Sequence, residues 1–148
     1  MGELILRPAR FADASILYVW RNDMASIKAS LSGEAVEWNR HQKWLSDLLI
    51  EGENRIFIAE LRGVAIAMVR FDMIDDGGYE ASWIIAPEMR GKRLGRVVLE
   101  AAVELYPKVK LIARIRVDNL PSRKIALQNG FRLSSERDGI CVFTRHRC

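Results

Sequence analysis

Residues Met89 to Arg96 read Met-Arg-Gly-Lys-Arg-Leu-Gly-Arg, a basic stretch interrupted by Gly91 and Gly95. Arg90, Lys92, Arg93 and Arg96 supply the charge. Leu94, Val97, Val98, Ala101, Ala102 and Leu105 then recur at helical spacing, so the stretch runs into the start of an amphipathic helix. The first N–H groups of a helix have no partner within it, and the macrodipole adds partial positive charge there. Basic side chains around such an end, with glycines that let the main chain approach closely, suit a bulky oxyanion such as a phosphate. The spacing matches neither G-x-x-x-x-G-K-[ST] nor G-x-G-x-x-G. Taken alone, the same residues also describe a solvated basic helix start.

The elements that must position this loop are legible from period and punctuation. Glu3–Arg7 reads as a strand ended by Pro8, and Asp13–Asn22 as a helix with Asp13 as its N-cap and Ile16, Leu17 and Trp20 on one face. Residues 23–35 read as irregular. A second helix carries Trp38, His41, Leu45 and Leu48 on one face and stops at Gly52. Two strands, RIFIAEL and VAIAMVRFD, are joined by Arg62-Gly63 as a hairpin; after the turn at Asp75–Gly78, YEASWII is a strand that ends before Pro87. The basic loop and its helix follow. KLIARIRV then alternates as a strand, NLPSRKIALQNG is a short helix with Pro121 in its first turn and Gly130 as its stop, and RLSSER and ICVFTRH close as a hairpin around Asp138-Gly139. The order β-α-α-β-β-β-α-β-α-β-β predicts an α/β (α+β) domain around one mixed sheet, spanning residues 1–148.

Bulk properties agree with one soluble domain. The chain has 148 residues, 49% hydrophobic and 28% charged, with a formal net charge of +4. That balance suits anionic small partners and lacks the basic-aromatic interleaving of a nucleic-acid binder. The longest apolar run, Val64 to Val69, is too short to span a bilayer, and Glu3, Arg7, Arg10 and Asp13 interrupt any secretory signal. Cys141 and Cys148 form no disulfide framework or zinc spacing. A reducing cytoplasm is the expected setting, with no metal and no membrane partner.

Beyond the loop, Asn119-x-x-Ser122 opens the last helix and Gly130-Phe131 follows it. With Arg90 and Gly95, these residues resemble the GNAT superfamily of acetyl-CoA-dependent N-acetyltransferases, whose loop reads [RQ]-x-x-G-x-[GA] and whose next helix opens on Asn-x-x-[AS]. Asn119 also reads as an N-cap, and Gly130-Phe131 as a C-cap with a core aromatic. Arg93 stands where the family has a glycine, so it is expected to avoid positive φ and turn outward, toward the 3′-phosphate of coenzyme A. The resemblance implies that acetyl-CoA is bound by Arg90, Gly91, Lys92, Arg93, Leu94, Gly95, Arg96, Asn119 and Ser122. It also implies a strand, Trp83, Ile84 and Ile85, that splays from its neighbour and offers its main chain to the pantetheine arm.

Acetyl transfer to an amine needs the amine neutral, and a lysine-like amine has a pKa near ~10.4, so a base is wanted. Relatives carry a carboxylate where Glu80 stands, which implies Glu80 as the residue holding the catalytic water; the other reading is a solvated glutamate. His41 is the second candidate, as a catalytic or acceptor-site group, against a packed histidine on a helix face. Relatives place a tyrosine acid where this chain has Ala126. The stretches YVWRND and HQKWL are similar to the amino-sugar-nucleotide N-acetyltransferases of the pseudaminic acid pathway. They suggest Trp20, Arg21, Asn22, His41 and Trp44 as acceptor-binding, with Arg21 meeting a phosphate or carboxylate. Core or rim aromatics are the alternative for the tryptophans. The function this implies is N-acetylation of a small-molecule amine, a nucleotide-linked amino sugar, by a monomer or homodimer. A peptide N-terminal acetyltransferase and a non-catalytic CoA-binding sensor are the alternatives.

Overall fold

The computed structural model describes residues 3–51 and 55–146. Gly52 and Cys148 therefore lie outside the described residues. Strands β1 (Leu4–Pro8), β2 (Ile56–Leu61), β3 (Val64–Met73), β4 (Tyr79–Ile85), β5 (Leu111–Arg116), β6 (Arg132–Arg137) and β7 (Ile140–Arg145) form one sheet in the order β1-β2-β3-β4-β5-β7-β6. Neighbours are antiparallel except β4 and β5, which are parallel.

The continuous apolar runs of β2 and β3 require cover on both faces. Ile56 and Ile58 face helices α1 (Ala14–Arg21) and α3 (Trp38–Ile50), which pack Leu17, Trp20, Leu45 and Leu48 against them. Phe57 and Ala59 face the other side, under Val98, Leu99 and Ala102 of α4 (Leu94–Val103). A register shift between Ala59 and Glu60 brings both Ile66 and Ala67 into the α4-side core. Helix α5 (Leu120–Gln128) packs beside α4 and is followed by Gly130 at φ 84° and by Phe131, which is fully buried.

Two local expectations are corrected. Residues 23–35 contain a helix, α2 (Met24–Ala29), capped by the Asp23 carboxylate, which accepts from the Ser26 N–H at 3.3 Å. Its six residues are too few to show a stripe, so the cap was the available signal. Asp13 does not cap α1. It accepts instead from Arg7 Nη1 and Nη2, both at 2.8 Å, and from the Arg10 N–H at 2.7 Å. Arg7 also reaches Glu60 at 2.8 Å, tying the start of α1 to β1 and β2. No helix among the described residues is long and apolar enough to cross a membrane.

Candidate active site

Strands β4 and β5 pair at Tyr79 with Leu111 and at Glu80 with Ile112, then diverge, while β4 continues along β3 as far as Ile85 opposite Ala67. The Tyr79 N–H donates to Lys110 O on the β5 side, and the Ala86 N–H donates to Ile66 O on the β3 side. Alternation therefore turns the main-chain groups of Trp83 and Ile85 toward the opening. Those of Ile84 turn to β3, so Ile84 contributes a side-chain wall and not a main-chain edge. The opening leads into a cleft of about 530 Å³ between β4, β5, the start of α5 and α2.

The basic loop borders this cleft. After a 3-10 turn at Pro87–Met89, the chain takes left-handed conformations at Gly91 (φ 77°) and Arg93 (φ 61°) before α4 begins. The expectation that Arg93 avoids positive φ is overturned. A left-handed residue costs an L-amino acid roughly 1–2 kcal/mol, and Arg93 takes it as the N-cap of α4. Such turns curl successive N–H groups into an anion-binding concavity at a helix start. Lys92 and Arg93 are exposed, and Arg96 pairs with Glu100 at 3.2 Å.

Two loop residues have partners other than those expected. Arg90 reaches Asp23 at 2.6 Å, Ser26 Oγ at 2.9 Å and Ile85 O at 3.1 Å, so its guanidinium ties α2 to the end of β4. Gly95 is buried, and a Cβ there would lie 2.3 Å from Cδ1 and 3.1 Å from Cγ1 of Ile125. Its missing side chain lets α4 and α5 approach. Leu94 likewise points into the core, so its side chain is not at the anion site. Asn119 caps α5 by accepting from the Ser122 N–H at 3.3 Å, and both residues line the cleft.

Glu80 is on the cleft floor with its side chain 14% exposed, and both its oxygens accept from Arg114, at 2.9 and 3.0 Å. That bond also holds the Arg114 guanidinium above its ordinary pKa. Directly across the β3–β4 ladder stands Asp72, which Arg70 holds at 2.8 Å. Arg116 of β5 donates to the carbonyls of Ser30 at 2.6 Å and Leu31 at 3.0 Å. Together with Arg90, it straps the α2 segment over the opening. Asp72, Arg70, Arg114 and Arg116 were missed as site residues. Their signal was present, because in period-two strands they alternate with buried apolar residues.

The acceptor candidates separate sharply. Trp20 is 2% exposed and belongs to the core under α1. Asn22 uses its amide on the Val36 main chain, donating to O at 2.9 Å and accepting from N–H at 2.7 Å. His41 is buried among Tyr18, Trp38 and Trp44, and its Nε2 donates to Ala14 O at 2.9 Å. Burial lowers its pKa, so the neutral ring serves as a strut between α3 and α1. Structural partners thus account for Trp20 and Asn22, while His41 also lines a cavity with Arg21 and Trp44. Trp44 carries the Arg70 guanidinium over its ring at 5.3 Å and lines a smaller cavity of about 240 Å³ behind the cleft. Arg21 lines both cavities. Ala126, at the position of the relatives' tyrosine, is fully buried.

Residues 3–132 match the acetyltransferase (GNAT) domain family. No curated protein sequence matches the chain. Among solved structures, aminoglycoside acetyltransferase AAC(6')-Ib with ribostamycin and coenzyme A superposes with a TM-score of 0.83 at 22% identity, over 98% of this chain and 94% of that one. Another structure of that enzyme holds acetyl-CoA. A ribosomal-protein-alanine N-acetyltransferase from Brucella melitensis gives 0.76 at 21%, covering 96% and 99%. A spermidine N-acetyltransferase chimera involving Vibrio cholerae gives 0.81 at 17%, covering 98% and 96%. At these identities the likeness is one of fold, and the three named acceptors differ in kind.

Proposed function

Because the chain belongs to the acetyltransferase (GNAT) domain family and is an acetyltransferase, we propose that it moves an acetyl group from acetyl-CoA to a primary amine of a small molecule, a nucleotide-linked amino sugar. The observation that carries this reading is the divergence of β4 from β5 directly before the left-handed loop at the start of α4. An extended arm ending in phosphates matches a free strand edge leading to a helix N-terminus. The residues present fit that group: Trp83 and Ile85 would hold the arm with main-chain groups, and Gly91 to Arg96, with exposed Lys92 and Arg93, would hold the phosphates. Asn119 and Ser122 would border the arm from α5.

When bound, acetyl-CoA supplies a thioester carbonyl open to attack by an amine. Glu80 acts on the amine. Arg114 orients its carboxylate, and each oxygen keeps lone pairs free to take a proton directly or through a water. A main-chain N–H on the open edge of β4 polarises the carbonyl. A thiol with a pKa of about 8.5 leaves without a strong acid, which suits a site where Ala126 offers no hydroxyl and Ser122 is the cleft hydroxyl nearest to it in sequence. The cationic Arg21 beside Arg70 supports an acceptor carrying phosphate.

The test is a melting scan with acetyl-CoA, then acetyl transfer to UDP-linked amino sugars, free amino sugars, peptides with free N-termini and polyamines. Binding raises Tm by mass action on the folded state, and turnover is expected to be highest with the UDP-amino sugars. No melting shift at millimolar acetyl-CoA refutes the cofactor site, and faster peptide acetylation refutes the acceptor.

A further inference from the structure

Arg21, Arg70, Arg90 and Arg114 line the cleft together with two carboxylates, Asp72 and Glu80. Arg70 is neutralised by Asp72, Arg114 by Glu80 and Arg90 by Asp23. Among these described arginines Arg21 has no carboxylate. Its Nη2 lies 3.4 Å from Ser32 Oγ, and its Nη1 is buried without a hydrogen-bond partner. Burial and the like charge of Arg70 both weigh against its cation and lower its pKa. That orphaned Nη1 group is a donor, so what completes the site must bring an acceptor.

We infer that Arg21 is a specificity-determining residue of the acceptor site and binds an anionic group, a phosphate or a carboxylate, carried by the acceptor amine. The inference rests on the acetyl-transfer reading and narrows it. A guanidinium presents a planar fork that matches either oxyanion, and the Ser32 hydroxyl beside it can donate to the same group. With the other three arginines neutralised, Arg21 leaves the lining with a positive excess. Polycationic acceptors, such as those in the names of the aminoglycoside and spermidine enzymes, meet repulsion here.

The experiment uses pairs of amines that differ in the anion: glucosamine 1-phosphate against glucosamine, and alanine against alaninamide. A UDP-linked amino sugar and spermidine complete the panel. Each is titrated against the acetyl-CoA-loaded protein by calorimetry and assayed for acetyl transfer. The anionic member of at least one pair is expected to bind more tightly, and which pair responds identifies phosphate or carboxylate. Arg21→Gln is expected to weaken that binding roughly 10–100-fold, the loss of a charge-assisted contact, and so to close the gap between the anionic and neutral members of the pair. Arg21→Lys keeps the charge without the fork and falls between. The inference is overturned if no anionic member binds more tightly than its neutral partner, if spermidine is preferred, or if Arg21→Gln keeps the preference. Titration of acetyl-CoA alone separates the two failures: its loss condemns the acetyl-transfer reading, and its retention confines the failure to Arg21.

Discussion

Gly95→Ala isolates the reason a glycine stands in the first turn of α4. An added Cβ meets Ile125 Cδ1 at 2.3 Å and Cγ1 at 3.1 Å, with Ile85 Cδ1 at a comfortable 3.8 Å. Overpacking of this kind costs typically about 1–3 kcal/mol, while replacing glycine in a helix returns at most about 1 kcal/mol. A net loss of roughly 1 kcal/mol is expected, which lowers Tm by about 3 °C in a chain of this size. Ile125→Val removes the closest atom, Cδ1, and by itself costs about 0.5–1.5 kcal/mol. In Gly95→Ala/Ile125→Val the collision with Cδ1 is gone, so the double variant should be more stable than the sum of the singles by about 1 kcal/mol, well above the few tenths expected of independent sites. Urea unfolding of the four proteins measures this coupling. Additive losses would refute the packing role of Gly95 between α4 and α5.

Glu80→Gln should reduce turnover by about 10²–10⁴-fold, the usual worth of a positioned base, with acetyl-CoA affinity unchanged by calorimetry; full turnover at neutral pH would remove Glu80 from the chemistry. His41 has a folded pKa below its ordinary 6.5 because of burial, so below about that pH the unfolded chain binds the proton that the native state resists. Stability is therefore complete above pH 6.5 and falls as pH drops toward the lower folded value. His41→Gln should flatten the difference between unfolding at pH 7.5 and 5.5, and an unchanged slope would place the titration elsewhere. Arg90→Ala removes partly exposed contacts to Asp23 and Ser26 and should cost under about 1 kcal/mol globally; amide exchange in α2 should nonetheless quicken, and unchanged exchange would show that Arg90 does not hold that helix.

Local chemistry was readable without the fold. The strands, their turns and most helices follow from period and punctuation, and so does the basic loop at the start of α4, because each signal is confined to one turn or one strand. Asn119 as a cap, and Gly130 with Phe131 as a helix stop and core residue, follow for the same reason. Tertiary structure decided what those residues touch. A helical stripe says that Trp20 and His41 share faces with apolar neighbours, and only the crossing of α1 with α3 sends one into the core and binds the other to Ala14. Glycine at position 95 looked like room for a phosphate until Ile125, on another helix, was seen against it. Arg93 was expected to avoid the left-handed region, and takes it at the N-cap of α4. Arg114 and Arg116 were ordinary polar members of an alternating strand; pairing of β5 with β4 puts one on Glu80, and proximity to the segment after α2 gives the other its carbonyls. Periodicity within a segment reports a face. Which element covers that face, and where two paired strands part, depend on contacts between residues far apart in the chain, which no local pattern encodes.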